Sequence, residues 1–241
     1  MCSEPASDKV VFITGATGGL GVTLVRAFAA AGWRVALQYH TAKERARDVE
    51  AEFPGRTLSV QSDVTDFRSL HLAVDTVLTA FGRLDVLINN AGITRDALLM
   101  RQQEADWDEV LAVNLSGAFH AIRAAVPAMS GGGCIIMLSS YSGLKGKEGQ
   151  SAYSASKAAV LGLTKTAAIE LGPAGICVNA VLPGYLPVGM GPRTVTAMKR
   201  AREESLLGCL ADPDEAAGFI LHLTSMRSVT GQVFCLDSRI T

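Results

Sequence analysis

The chain has 241 residues, of which 49% are hydrophobic and 19% are charged, and its formal net charge at pH 7 is −1. This composition excludes a disordered chain, because it supplies enough apolar surface to form a core. The near-zero net charge provides no broad basic field, so we predict neither a nucleic-acid partner nor binding to an anionic membrane.

The first residues, MCSEPASDKV, contain acidic side chains and no apolar stretch, so they do not resemble a signal peptide. No apolar run approaches the roughly 18 residues that indicate a membrane span. The five cysteines are scattered and form no CxxC pair, which favours reduced thiols over zinc binding or redox exchange. We therefore predict a cytoplasmic protein without a metal site, whose residues 1–8 form a flexible N-terminus.

Short apolar runs of β type alternate with segments of helical periodicity along the whole chain. Their near-continuous hydrophobicity indicates strands covered on both faces, as in a parallel sheet between helical layers. A helix is predicted over Leu20–Ala31. The fold class is therefore α/β: one domain over residues 1–241, a Rossmann fold with a doubly wound, seven-stranded parallel sheet and helices on both faces. The predicted strands are Lys9–Thr14, Arg34–Tyr39, Thr57–Gln61, Leu84–Asn89, Cys134–Ser139, Ile176–Leu182 and Val233–Asp237.

A glycine-rich loop follows the first predicted strand and opens the first helix. Gly15 can supply a tight turn, Gly19 close approach of a pyrophosphate, and Gly21 close packing of helix on strand. The free N–H groups and the dipole of the helix N-terminus would bind the phosphates. An ordinary βα turn is the alternative, but the position in the first βα unit favours cofactor binding. The predicted loop contacts are Gly15, Thr17, Gly18, Gly19, Leu20 and Gly21.

Tyr153 and Lys157 lie four residues apart at the start of a predicted helix, which places both on one face. A free tyrosine titrates near ~10, so proton transfer at neutral pH benefits from a neighbouring cation. We expect Lys157 to lower the Tyr153 pKa and make the phenol a general acid for ketone reduction. The alternative is a packed tyrosine beside a solvated lysine.

Ser140 lies thirteen residues before Tyr153, at the end of the fifth predicted strand. Ligands bind at this edge of open α/β sheets, so the Ser140 hydroxyl is placed to hydrogen-bond a substrate oxygen. Ser139 and Ser142 are rival candidates for this role.

The glycine loop is spaced TGxxxGxG, and together with the Tyr153–Lys157 pair it resembles the short-chain dehydrogenases/reductases. The other motifs follow in the order of that family from about Lys9 to Asp237. The family spacing favours Ser140 over its rivals. The resemblance further implies an Asn114 that holds a water for a proton relay through Lys157. It also implies adenine contacts at Asp63 and Val64, cofactor packing at Asn90, Ala91 and Gly92, and nicotinamide contacts at Pro183 and Gly184.

The end of the second strand predicts NADPH rather than NADH as the cofactor. NAD-selective relatives place an acidic residue there to bind the ribose 2′-hydroxyl. Tyr39 occupies this position and is followed by His40, Thr41 and Lys43, which offer hydroxyl and cationic groups to a 2′-phosphate. Because Gly18 replaces the frequent loop arginine of the family, we expect a weak preference.

The segments 93–100 and 143–150 resemble the 3-oxoacyl-(acyl-carrier-protein) reductases and the acetoacetyl-CoA reductases. This resemblance implies reduction of a β-ketoacyl thioester by a homo-oligomer, a tetramer or a dimer. A reductase of another ketone or alcohol, such as a polyketide or ring ketone, and a non-catalytic partner subunit are the alternatives. Residues 130–133 and 172–175 carry no charge that would steer an acidic carrier protein, so a coenzyme A thioester or a free ketone is also considered.

Three parts of the chain depart from the family pattern. Val188 replaces a frequent threonine near the nicotinamide carboxamide, and Asp237-Ser238-Arg239 replaces Asp-Gly-Gly. Residues 189–210, the predicted substrate lid, match the family poorly.

Overall fold

A computed structural model describes residues 9–189 and 195–239 of the protein. The expected flexible N-terminus, residues 1–8, and residues 190–194 of the predicted lid lie outside the described residues. Within the described part, seven strands form one parallel sheet in the order β3-β2-β1-β4-β5-β6-β7. The strands are β1 Val10–Ile13, β2 Arg34–Tyr39, β3 Thr57–Gln61, β4 Val86–Asn89, β5 Gly133–Leu138, β6 Ile176–Leu182 and β7 Val233–Cys235.

The predicted fold class is confirmed. The predicted bounds hold for β2, β3 and β6 and differ by one or two residues for the other strands, which is the usual uncertainty where ladder hydrogen bonds end. Every residue of β1, β4, β5 and β6 is buried, as expected for central strands covered on both faces. Strand β7 lies at the edge and is partly exposed.

Helices cover both faces of the sheet. The described helices are α1 Gly19–Ala30, α2 Lys43–Ala51, α3 Phe67–Phe81, α4 Glu104–Leu111, α5 Gly117–Ala125, α6 Ser142–Lys145, α7 Ser151–Leu171, α8 Val195–Glu203 and α9 Pro213–Leu223.

Alternation along the strands divides the core into two clusters. Val10 and Phe12 of β1 pack in the cluster that contains residues of α3, α5 and α7. Val11 and Ile13 point to the opposite face, where residues of α1, α2 and α9 pack. The sheet is therefore the central layer of a three-layer domain.

The helical stretch Glu104–Ala128 contains α4, a π-helical turn at Ala112–Ser116, α5 and a short 3-10 turn. By length and apolar composition alone it would suffice to cross a membrane, a test that core helices also pass. Ala121 and Ala125 are buried in the same cluster as Phe12, so packing inside the domain accounts for the apolar side of this stretch.

From β1 the chain proceeds outward through β2 and β3, and from β4 it proceeds outward in the opposite direction. The point at which the strand order reverses therefore lies between β1 and β4. Loops that leave neighbouring strands on opposite sides of such a point diverge and leave a crevice at the carboxyl edge, where ligands bind in doubly wound folds. The loops after β1, β4, β5 and β6 all begin at this edge, so the candidate site lies there.

Candidate active site

A cleft of about 1550 Å³ lies at the carboxyl edge of the sheet. It is lined by the loop after β1, the ends of β4 and β5, the start of α7, the loop after β6 and part of α8. Ser140, Tyr153 and Lys157 line it together with the predicted glycine loop, so the structure brings the separate motifs into one cavity. Among the described residues, no group of three or more His, Cys, Asp or Glu is placed to hold a metal ion.

The glycine loop is shaped by backbone contacts that exclude side chains. Gly15 has a φ of +61°, and a Cβ atom there would lie 2.7 Å from the Cα of Ala91. A Cβ on Gly21 would lie 2.5 Å from the carbonyl oxygen of Gly15. Because real Cβ atoms do not approach so closely, only glycine fits at either position. The cradle therefore fits a cofactor pyrophosphate at the N-terminus of α1.

Asn90 holds this loop in place. Its Nδ2 donates to the carbonyl oxygens of Thr14 and Gly15 at 3.0 and 2.9 Å. The Thr14 hydroxyl accepts hydrogen bonds from the backbone N–H groups of Asn90 and Ala91, both at 3.1 Å. Asn90 directly follows β4, so its hydrogen bonds fix the loop after β1 to the end of β4. This structural role is in addition to its predicted packing beside the cofactor.

The loop after β6 touches the glycine loop. A Cβ on Gly19 would lie 2.4 Å from the backbone nitrogen of Gly189 and 2.9 Å from the carbonyl carbon of Val188. Pro183, Gly184 and Val188 line the cleft, and the nicotinamide contacts expected of Pro183 and Gly184 stay a prediction. Val188 offers no side-chain hydrogen bond there.

The second strand presents different residues from those expected. Gln38 lines the cleft, where its Oε1 accepts a hydrogen bond of 2.7 Å from the Gly15 N–H. Tyr39 is 6% exposed and packs with Val35 and Leu37 in the core, because alternation turns it to the other face of β2. The structure therefore replaces Tyr39 by Gln38 as the side chain of β2 at the predicted cofactor site.

At the end of the cleft beyond β2, His40, Thr41, Asp63 and Val64 line the cavity, and their contacts with a cofactor stay a prediction. His40 Nε2 lies 3.8 Å from Asp63 Oδ2. Arg45, in the first turn of α2, also lines the cleft and was missed by the sequence analysis, which considered Lys43. Only the periodicity of a helix beginning at residue 43 could have indicated that Arg45, and not Lys43, faces the cleft.

Tyr153 and Ser140 form a hydrogen-bonded pair of hydroxyl groups. Ser139 and Ser142 are engaged elsewhere: the Ser139 hydroxyl donates to the Lys157 carbonyl at 2.7 Å, and the Ser142 hydroxyl donates to Gln150 Oε1 at 3.2 Å. Of the three serines considered, the contacts therefore favour Ser140 as the partner of the phenol.

The pKa of Tyr153 is raised above its ordinary value. Burial is the largest cause, since it penalises the phenolate; the hydrogen bond with Ser140 lowers the pKa, and the charge of Asp96 raises it. This direction differs from the lowering expected from Lys157. The lysine Nζ lies 5.8 Å from the centroid of the tyrosine ring, and the effect of burial on the phenol exceeds the lowering of its pKa by its hydrogen-bond partner.

Lys157 is 3% exposed, and its Nζ donates a hydrogen bond of 2.7 Å to the carbonyl oxygen of Leu138 at the end of β5. Burial lowers the pKa of Lys157 to about 8. The group therefore changes protonation within the range where a proton relay would operate.

Asn114 lies in the π-helical turn and is 1% exposed. Its Nδ2 donates to the Ile93 carbonyl and to the Ser156 hydroxyl, both at 3.0 Å, and its Oδ1 accepts from the Ile93 N–H at 2.8 Å. These bonds use both amide hydrogens. A Cβ on Gly92 would lie 3.2 Å from Asn114 Oδ1, which is a tight contact, and 3.5 Å from Lys157 Nζ, which is an ordinary one, so Gly92 lies beside both groups. The water-holding role of Asn114 stays a prediction.

Asp96 is a further residue of the cleft that the sequence analysis missed. Gln150 Nε2 donates to both Asp96 oxygens, at 3.3 and 3.1 Å, and Gln150 precedes the first turn of α7. The Ala97 N–H donates to the Gly149 carbonyl at 2.9 Å. These contacts join the segments 93–100 and 143–150. The sequence shows that each segment resembles the family, but it does not show that the two segments contact each other.

Comparison with known proteins finds a matching family model and several curated reductases. Residues 15–239 match the family model described as enoyl-(acyl carrier protein) reductase. The 3-oxoacyl-[acyl-carrier-protein] reductase of Thermotoga maritima is 43% identical over 240 residues, which cover 95% of this chain and 96% of the relative. The enzyme of the same name from Staphylococcus aureus strain Mu50 is 44% identical over 183 residues, 74% of each chain.

Solved structures agree over nearly the whole chain. A short-chain dehydrogenase/reductase from Serratia marcescens superposes with a TM-score of 0.91 at 32% identity, covering 98% of both chains. A dehydrogenase/reductase from Sinorhizobium meliloti has a TM-score of 0.89 at 37% identity, covering 95% of this chain and 93% of the other.

Proposed function

Because this chain belongs to the short-chain dehydrogenase/reductase family of oxidoreductases, we propose that it reduces the keto group of a β-ketoacyl thioester with NADPH, with Tyr153 as the general acid. The family resemblance inferred from the motifs is confirmed. The observation that carries the proposal is the hydrogen-bonded pair of Ser140 and Tyr153 hydroxyls inside the cleft. Two hydroxyls at one point suit a single carbonyl oxygen that becomes an alcohol.

The proposed proton transfer uses groups already in contact. The Tyr153 hydroxyl gives its proton to the substrate oxygen, while the Ser140 hydroxyl donates a hydrogen bond to the same oxygen. Since the pKa of Tyr153 is raised by burial, the phenol is protonated at neutral pH and ready to act as an acid. After this transfer Tyr153 is a phenolate, and Lys157, with a pKa of about 8, can supply the proton that restores the phenol.

The residues present fit a nicotinamide dinucleotide. When bound, the cofactor supplies the hydride. The glycine cradle held by Asn90 would receive its pyrophosphate, and Pro183 and Gly184 would border the nicotinamide. The preference for NADPH is supported by His40, Thr41 and Arg45, which line the cleft beyond β2 where NAD-selective relatives place an acidic residue.

The names of the relatives favour carbonyl reduction over alkene reduction. The curated relatives are named 3-oxoacyl reductases, whereas the family model is described by an enoyl substrate. In a ketone the carbon that accepts the hydride carries the oxygen that accepts the proton, so the paired hydroxyls contact the reacting group directly. In an enoyl thioester the oxygen that gains charge belongs to the thioester carbonyl, two carbons away from the carbon that accepts the hydride.

The uncharged residues 130–133 and 172–175 lie at the starts of β5 and β6 and meet each other at the opposite edge of the sheet, where a Cβ on Gly132 would lie 2.7 Å from the Gly175 oxygen. Within one chain they therefore do not border the cleft mouth, and their lack of charge is no argument against a carrier protein.

A panel assay tests the proposal. We expect NADPH oxidation with acetoacetyl-CoA or a β-ketoacyl carrier protein to exceed that with crotonyl-CoA and with simple ketones in kcat/KM. Turnover of crotonyl-CoA alone, or of a ring ketone alone, would contradict the proposed substrate. The expected homo-oligomer, a tetramer or a dimer, is part of the same proposal and is checked by light scattering of the purified protein.

A further inference from the structure

Four segments meet at one end of the cleft, beside the paired hydroxyls. Tyr141 directly follows Ser140, Tyr185 directly follows Gly184, Glu204 lies just beyond α8, and Arg239 lies beyond β7. All four side chains belong to residues that line the cleft. Two of the three parts of the chain that depart from the family pattern, the lid and the C-terminal segment, therefore meet here.

Arg239 lies at the centre of this group. Its guanidinium carbon is 4.1 Å from the centroid of the Tyr141 ring. Its Nε donates to both oxygens of Asp237 at 2.9 Å, its Nη2 also bonds Asp237, and its Nη1 lies 3.5 Å from Glu204 Oε2. The side chain is 12% exposed, and that of Asp237 is 6% exposed. Arg239 is thus held on one face by an aromatic ring and on its edges by two carboxylates.

Because its partners already occupy the guanidinium, Arg239 does not serve as a receptor for an anion. Together with Tyr141 it forms a wall of the cleft. Burial alone would lower the pKa of Arg239, but Asp237 and Glu204 raise it above its ordinary value, so the guanidinium stays charged. Its charge is already neutralised by those two carboxylates. An anionic group of a substrate would have to displace one of them, at the cost of leaving a carboxylate unpaired.

The C-terminal segment also holds the end of the lid against this wall. The hydroxyls of Ser205 and Ser238 are hydrogen-bonded, and the Leu206 N–H donates to the Ser238 carbonyl at 3.2 Å. Residues 204–206 follow α8 directly. The side chains that replace the two glycines of the family pattern therefore hold residues 204–205 against the C-terminal segment, and this packed region bounds the cleft beside Tyr141.

We propose that Arg239 and Tyr141 are specificity-determining residues that restrict the enzyme to β-ketoacyl thioesters with short acyl chains. The inference rests on the proposed function. A β-ketoacyl thioester carries its bulky coenzyme A or carrier protein on one side of the keto carbon, and that side must leave through the open part of the cleft. The acyl chain on the other side then points toward the closed end, one residue from Ser140.

Removal of the wall should change the dependence on chain length. We compare kcat/KM for acetoacetyl-CoA and 3-oxodecanoyl-CoA in the wild type, Arg239→Ala and Tyr141→Ala. The wild type should prefer acetoacetyl-CoA, and each variant should raise the ratio of long-chain to short-chain kcat/KM by about tenfold or more. Tyr141→Ala keeps the ion pairs of Arg239, so it tests the wall even if Arg239→Ala loosens the lid.

Arg26→Ala is the matched control, because Arg26 pairs with Glu52 at 2.7 Å and does not line the cleft. Its chain-length ratio should equal that of the wild type. A wild type that reduces both thioesters equally well, or ratios unchanged in folded Arg239→Ala and Tyr141→Ala, would overturn this inference alone. A wild type that reduces neither thioester would overturn the proposed function, and this inference with it.

Discussion

Lys157 Nζ donates a hydrogen bond of 2.7 Å to the carbonyl oxygen of Leu138, which joins helix α7 to the last residue of β5. The same carbonyl ends the strand that leads to Ser140. One side chain thus fixes the position of the ammonium group relative to both hydroxyls of the site. The environment that holds it also removes its water, and this has a measurable effect on stability.

Replacement of Lys157 by methionine should change how stability depends on pH. The pKa of Lys157 is lowered to about 8 in the folded protein, whereas lysine in an unfolded chain titrates near ~10.4. Between these values the unfolded state binds a proton that the native state has lost, so this group makes the free energy of unfolding rise with pH. The full shift corresponds to about 3 kcal/mol.

Urea unfolding at a series of pH values checks this expectation. The free energy of unfolding of the wild type minus that of Lys157→Met should increase from about pH 7.5 to about pH 10.5. Lys165→Met, an exposed lysine on the same helix, should show no such trend. A pH-independent difference for Lys157→Met would contradict the lowered pKa.

Tyr153→Phe should remove the proton donor and keep the ring in place. We expect turnover to fall by at least ~100-fold, the usual contribution of a general acid, while the Kd of NADPH changes little. Single-turnover kinetics and fluorescence titration measure the two quantities. Near-normal turnover would exclude Tyr153 as the acid.

The adjacent serines provide a paired test of the second hydroxyl. Ser140→Ala removes the partner of Tyr153, whereas Ser139→Ala removes a hydrogen bond to the Lys157 carbonyl. We expect the larger loss of kcat/KM for Ser140→Ala, by about tenfold or more over Ser139→Ala. A larger loss of kcat/KM for Ser139→Ala would show that Ser140 is not the second hydroxyl of the site.

Asp96→Asn should move the alkaline limb of the rate profile. The proposed reduction needs protonated Tyr153, so we expect activity to be lost as the pH rises through the pKa of that phenol. Burial raises this pKa most, and the charge of Asp96 raises it further. Asparagine keeps an oxygen for Gln150 but loses the charge, so the alkaline limb should shift to lower pH. The shift will be small, because Asp96 is exposed and screened by solvent.

Asp108→Asn provides the control for this profile, since Asp108 is an exposed carboxylate of α4 that does not line the cleft. Its pH profile should match that of the wild type. An identical alkaline limb in Asp96→Asn would mean that Asp96 has only a structural role through Gln150.

Gly21→Ala should disturb the cofactor cradle, because its Cβ would lie 2.5 Å from the Gly15 carbonyl oxygen. We expect a loss of stability of about 1–3 kcal/mol, as for an overpacked site, together with weaker binding of NADPH. Gly162→Ala is a helical glycine with no atom within 4 Å of the added Cβ. It should be neutral or stabilising by about 0.5–1 kcal/mol in thermal unfolding, and equal effects of the two substitutions would contradict the steric account.

Arg45→Ala should weaken discrimination between the two nicotinamide cofactors. A hydrogen bond from a cation to a 2′-phosphate contributes about 1.5–3 kcal/mol, so kcat/KM for NADPH should fall about tenfold or more while that for NADH changes little. Lys43→Ala is the control, because Lys43 does not line the cleft. An equal loss with NADH would show that Arg45 does not act on the phosphate.

The sequence predicts the fold well because its strands are buried on both faces, and their hydrophobic runs are therefore nearly continuous. The glycine loop and the Tyr153–Lys157 pair are equally visible, since each depends on short-range spacing. Tyr39 shows where such reasoning ends: its position in the chain is at the strand end, but alternation turns its side chain into the core. The Asp96–Gln150 contact and the Arg239–Tyr141 contact depend on tertiary packing over long separations, which no local pattern encodes.

The contact between Gly19 and residues 188–189 makes position 19 common to both halves of the cleft. A methyl group there would press on the backbone of the loop that continues toward the lid. A substitution that looks, in the sequence, like a change to the glycine loop alone would consequently displace residues 188–189, which line the cleft on the other side. The glycine loop and the loop after β6 therefore share one atom position, so a side chain at residue 19 would push these two loops apart.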